Sequence, residues 1–169
     1  MLTLEHQTGQ FTNFNPRPEK HGPDTVPGAD LKITMTVSND LLAEFHPTLK
    51  SMLFREPNPD EQDLVEKAVV GERDLTRLRF GNHVNAIRWA SEIVGADLTI
   101  HYGTGGKSDI ELTDVTVDGF VFEPMDGGSV VVTFRVKCSP NEKQGGQLFT
   151  LMGGEIEFTL APPEDGPIE

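Results

Sequence analysis

The side chains able to do chemistry in this chain are widely spaced. Five histidines, His6, His21, His46, His83 and His101, are scattered along the sequence, with no HxH or HExxH pair among them. Zinc binding by sequence neighbours needs such local spacing, so a metal site here would require distant His and acid residues brought together by folding. Neither a metal nor a cofactor is expected. Cys138 is the single cysteine, so no internal disulfide can form, which fits a reducing compartment; it reads as a buried strand residue.

Gly103-Thr104-Gly105-Gly106-Lys107-Ser108 ends like a phosphate loop. The Walker pattern GxxxxGK[ST] would place its first glycine at residue 101, where the chain has His101, and the residues after Ser108 alternate as a strand and not as a helix. A glycine-rich hairpin loop is the expectation. No GxSxG elbow sets a nucleophile beside a base. Asp109 and Glu111 stand at i and i+2, which on a strand places both on one face, the usual position of solvated charge and not of an acid–base pair. No enzyme activity is expected.

Charge is the strongest compositional signal. Twenty-seven acids against 14 Lys and Arg give a formal net charge of −13. Asp109, Glu111, Asp114, Asp118, Glu123 and Asp126 fall in one run that contains no base. They are the candidate partner-binding face, an anionic surface for a basic protein, with mimicry of nucleic acid as its specific form. From residue 155 onward five more acids follow, again without a base. A body of this charge repels phosphate unless charge is segregated, so nucleic acid is disfavoured as a ligand. Under that alternative the contacts would be Arg73, Arg77, Arg79 and Arg88, the most basic stretch, with Phe80 or Trp89 for base stacking. Their competing role is to pair with Glu66, Glu72, Asp74 and Glu92.

The elements that must position these groups are mostly strands. The 169 residues suit one domain with one core. Residues 1–30, rich in Pro and Gly, read as an extended arm anchored by Phe11 and Phe14. Leu31, Ile33, Met35 and Val37 alternate with polar residues as a half-buried strand. Ser38 is a plausible helix cap, and 41–54 reads as one bent helix or two short ones; 60–70 is a further sparse helix. Alternation then dominates through 96–102, through 110–122 with a face switch near Thr113-Asp114, and through 130–138. Asp126-Gly127-Gly128 is a turn, and Val132, Phe134, Phe158 and Leu160 are core candidates. Ser139-Pro140-Asn141-Glu142 reads as a capping box for a short helix, 156–160 as the last strand, and 162–169 as an acidic tail. The expected class is mainly β (β-rich α+β), an antiparallel sheet or sandwich with two or three short inserted helices. No membrane helix and no signal peptide is expected.

The segments Phe14-Asn15-Pro16-Arg17, Gly28-Ala29-Asp30-Leu31-Lys32 leading to Val37-Ser38-Asn39-Asp40, Tyr102-Gly103, and Gly127-Gly128-Ser129-Val130-Val131-Val132-Thr133-Phe134-Arg135-Val136 resemble small acidic proteins encoded by tailed phages and prophages. The likeness covers most of the chain and transfers no activity or residue role. It implies a phage accessory protein in the cytoplasm of a bacterial host cell. Three functions follow as expectations: binding a host or phage protein through the acidic surface, as a mimic or inhibitor; handling single-stranded nucleic acid in replication or recombination; or a virion or assembly component.

Overall fold

The computed structural model describes residues 2–61, 74–104 and 106–164. Within them the strands are β1 (Leu4–His21), β2 (Asp24–Ser38), β3 (Phe54–Arg55), β4 (Arg77–Leu78), β5 (Ile87–Trp89), β6 (Ile93–His101), β7 (Ile110–Met125), β8 (Ser129–Cys138) and β9 (Glu155–Ala161). Two α-helices, α1 (Leu49–Leu53) and α2 (Glu142–Leu151), and short 3-10 turns complete the described chain. The main sheet runs β5-β7-β6-β9-β1-β2-β8, and a further pairing of β8 with β7 closes it, so that six strands form a closed, barrel-like sheet with β5 beside it. The β-rich class expected from the sequence is therefore what forms, with closure in place of a sandwich. Among the described residues no helix is long and apolar enough to cross a membrane.

Contacts divide the chain into two compact units: Met1–Met35, Arg88–Val121 and Thr133–Glu169 in the first, Thr36–Ile87 and Phe122–Val132 in the second. In the first, strand alternation supplies the core. Leu31, Ile33, Ala96, Leu98, Ile100, Phe134, Val136, Phe158 and Leu160 are buried while their sequence neighbours face outward. The phase switch expected near Thr113-Asp114 is present. Ile110 and Leu112 are buried, then Val115 and Val117, with Asp114 at φ 53 between them. The phase shifts again at Gly119 (φ 66), after which Phe120 is buried. A left-handed backbone at that point favours glycine.

Residues 4–30, expected as an extended arm, are extended but lie within the sheet, and the strand expected at 31–37 continues β2. β1 and β2 pair antiparallel from Gln10↔Thr34 to His21↔Asp24 around a two-residue Gly22-Pro23 turn. β1 also pairs with β9, but only as far as Gln10. Beyond that point one edge of β1 is unpaired by β9, and an edge is where Pro16 and Pro18 can sit without costing a ladder hydrogen bond. The prolines thus mark an edge and not a loop.

In the second unit Ser38 caps the 3-10 turn Asn39–Glu44 by accepting from the Asp40 amide, as its sequence position suggests. Asn39 is buried, and its Nδ2 donates to the Leu75 carbonyl at 2.8 Å while its backbone N–H donates to the Gly128 carbonyl at 3.0 Å. Lys50 bridges Asp40 and Asp74 at 2.6 and 2.7 Å. Arg55 holds Glu61 with two bonds, and with the Asn58 amide it brings that carboxyl down to about 2. Of the helix expected at 60–70, residues 62–70 lie outside the described residues.

Helix α2 starts two residues later than its sequence reading. Asn141, not Ser139, is the cap, and it forms a reciprocal capping box with Gln144. Ser139 Oγ instead lies 3.1 Å from Glu19 Oε2. Cys138 is buried as expected, and burial pushes its thiol up to about 12, so little thiolate exists at neutral pH.

Phe134 and Phe158 meet edge to face with centroids 6.0 Å apart, and both are essentially unexposed. Truncating either to Ala should cost about 3–5 kcal/mol through lost burial and the cavity left behind. Equilibrium urea unfolding measures this, and a loss under about 1 kcal/mol would contradict the packing.

Candidate functional site

The outward residues of the β1, β2 and β8 strands line a polar groove of about 810 Å³ in the first unit. The alternation that buries Leu31, Ile33 and Phe134 turns Lys32, Thr34, Thr133 and Arg135 outward onto its floor. Thr34 and Thr133 meet across the groove with hydroxyl oxygens 3.0 Å apart. Thr12, Asn13 and Asn15 add neutral hydrogen-bonding groups from β1, and Arg88 joins from β5. Among the described residues Arg88 has no ion pair. A neighbouring hollow of about 470 Å³ shares Arg88, Gly119 and Val121 with the groove and is lined by Trp89, the only tryptophan.

Cations gather on this side of an acidic protein. Arg17 pairs with Asp30 at 2.8 Å and with Glu19 at 2.7 Å. Arg135 grips Asp118 with Nε and Nη2 at 2.8 and 2.9 Å, and Lys137 reaches the same carboxylate at 3.1 Å. The Arg135 hydrogen bond is the main reason that the Asp118 carboxyl is held below the usual carboxylate range, against a burial penalty.

The acidic run from the sequence is divided by the fold. Asp109 lies just before β7 and turns back, its Oδ1 accepting from the Tyr102 amide and its Oδ2 lying 3.1 Å from His101 Nδ1. Asp118 is neutralised as described. Asp126, at the β7–β8 turn, accepts from the Leu78 amide at 3.3 Å. Glu111, Asp114 and Glu123 are exposed and have no ion pair among the described residues. The even carboxylate row expected from Asp109 and Glu111 does not form, because Asp109 is not on the strand.

The arginine stretch is divided as well. Arg73 lies outside the described residues, as do Glu66 and Glu72. Arg77 Nη2 donates to the Glu61 carbonyl at 2.8 Å, and Arg79 donates to the Ser51 and Phe54 carbonyls at 2.9 and 3.3 Å. Those two brace backbone in the second unit. Arg88 and Trp89 belong to the groove of the first. Sequence reasoning missed Lys32, Arg135 and the groove threonines, although their outward strand phase was readable; what it could not show was that β2 and β8 lie side by side.

Folding also joins two of the scattered histidines. His6, His101 and Glu157 each bring one ligand-capable atom within 4.8 Å of the others. Against known proteins, no family model, no curated protein and no solved structure matches this chain.

Asp118 gives a pH test of the groove wall. Its folded pKa is depressed, so its contribution is present above the unfolded value near 3.9 and is lost as pH falls through the folded pKa. Asp118→Asn should therefore be less stable than the parent at pH 7, with the gap closing at acid pH below about 4. Thermal unfolding across that range measures it; a gap independent of pH would rule out the Arg135 pairing as its source.

Proposed function

We propose that this chain is a non-enzymatic binding protein whose ligand is a single-stranded nucleic acid laid in the polar groove. The observation that carries the reading is charge segregation. Lys32 and Arg88 line the groove without an ion pair among the described residues, while its other charged lining groups, Arg135 and Asp30, are paired with Asp118 and Arg17, which leaves a local cationic excess in a chain of net charge −13. At physiological salt the Debye length is about 8 Å, so acids beyond that distance are largely screened, and the acids at the groove itself, Asp30 and Asp118, are each held by an arginine. Neutral Thr and Asn side chains can hydrogen-bond sugar and base edges, and the Trp89 indole offers a stacking surface in the adjoining hollow.

A second reading keeps the acidic surface as the working part, with a basic host or phage protein as partner. It is favoured by Glu111, Asp114 and Glu123, which remain exposed without an ion pair among the described residues. Charge reversal at these three positions should weaken capture of such a partner at low ionic strength and leave oligonucleotide binding intact.

Fluorescence anisotropy of a labelled oligothymidylate tests the first reading. Neutralising roughly two phosphates, through Lys32 and Arg88, predicts a log–log salt slope of about −1.4. Arg88→Glu with Lys32→Glu should weaken binding at least tenfold at low salt and flatten that slope. Binding should also change the emission of Trp89. No binding at low ionic strength, or binding untouched by the double variant, would overturn the proposal.

A further inference from the structure

The outward face of β1, β9 and β6 carries a cluster that neither reading uses. β9 lies between β1 and β6 in the sheet. His101 on β6 is the register partner of Glu157 on β9. On β1 the register breaks between Leu4 and Gln7, and His6 takes φ 45 within the break. Buried residues fall at Leu2 and Leu4 before it and at Gly9 and Phe11 after it. Unbroken alternation would have sent residue 6 inward; the bulge sends His6 out over β9. The two imidazoles stack with centroids 4.1 Å apart and planes 12° from parallel. His6 Nδ1 lies 2.5 Å from Glu157 Oε1.

Asp109 decides which nitrogen of His101 is available. An ionised carboxylate only accepts, and its Oδ2 is 3.1 Å from His101 Nδ1, so Nδ1 carries the proton. Nε2 then presents a lone pair. It faces Thr159 Oγ1 at 2.7 Å, and the same hydroxyl accepts from the His6 backbone N–H at 3.1 Å. A carboxylate behind one imidazole nitrogen, which leaves the lone pair on the other, is the arrangement that prepares histidine for a metal ion; here that lone pair accepts from the Thr159 hydroxyl, a bond the metal would replace.

We propose that His6, His101 and Glu157 bind one divalent transition-metal cation of the zinc class, with Asp109 as the positioning residue behind His101. Two histidines and a carboxylate are a zinc donor set that leaves a fourth position for water or a group from a partner. Imidazole ligands argue against calcium or magnesium, which take oxygen. With neutral imidazoles, Glu157 and Asp109 give the cluster a charge opposite to that of the cation. Zinc bonds of about 2.0–2.2 Å require donor atoms no more than about 4.4 Å apart, so the present spread of up to 4.8 Å must tighten, and the His6 ring, now stacked on His101 with Nδ1 against Glu157, must turn so that the in-plane lone pairs of both imidazoles converge on the ion. His6, with a side chain 68% exposed, is able to make that movement.

Calorimetric titration of chelator-treated protein with zinc chloride tests this, with Co²⁺ absorption as a report on coordination geometry. One ion per chain is expected, and zinc should raise the thermal midpoint, because an ion that binds only the folded state stabilises it. His6→Ala and Glu157→Gln, both at exposed positions, should each weaken zinc binding at least tenfold while circular dichroism stays unchanged. Asp109→Asn should weaken it by about 10–100-fold without removing a ligand. Absence of one-to-one binding in the parent, or parent-like binding in His6→Ala and Glu157→Gln, would overturn the site.

Discussion

Pairing of β7 with β8 turns an open sheet into a closed one. A closed sheet has one interior, so each strand must hold an apolar phase toward it and release every other side chain outward. The strands here are too long to do this without interruption. β1 spans 18 residues and β7 spans 16, and each changes phase along its length. The breaks at His6, Asp114 and Gly119 reconcile long strands with a single core. Each break also redirects a side chain or opens a position on the outer surface.

Both surface sites grow from that requirement. The groove exists because the outward phases of β2 and β8 bring Lys32, Thr34, Thr133 and Arg135 together, while Gly119 leaves space beside Arg135. The histidine cluster exists because the β1 bulge turns His6 toward a strand whose outward positions are Glu157 and Thr159. The buried residues around them supply a rigid base. Neither site contains a helix, and neither draws on the second unit.

The acidic composition is partly consumed by local pairing. Asp30 holds Arg17, Asp118 holds Arg135 and Lys137, Asp74 shares Lys50 with Asp40, and Glu61 holds Arg55. Such surface pairs each contribute little to stability. Their effect on function is larger, since they fix where charge is left over. Among the described residues, acid without an ion pair remains at Glu111, Asp114 and Glu123, and positive charge without one at Arg88. A count of charges along the sequence cannot make that distinction.

The class of the fold and most of its core follow from local patterning alone. Alternation at Leu31-Ile33-Met35, at Val130 to Cys138 and at Ile156-Phe158-Leu160 needs no partner to be read, because side chains on a strand alternate whatever lies beside them. The bulge at Asp114 and the glycine turn at 126–128 were legible for the same reason: a break in period and a left-handed backbone leave local marks. The long β1–β2 hairpin was not, since proline reads as a loop until the missing edge partner is known. Strand neighbours were decided only by tertiary structure, because hydrogen bonds between strands are blind to side-chain identity. That is why Lys32 beside Arg135, and His6 beside His101, 95 positions apart in the sequence, could not be foreseen. Local spacing says which side a residue faces; only the register of the closed sheet says what it faces with.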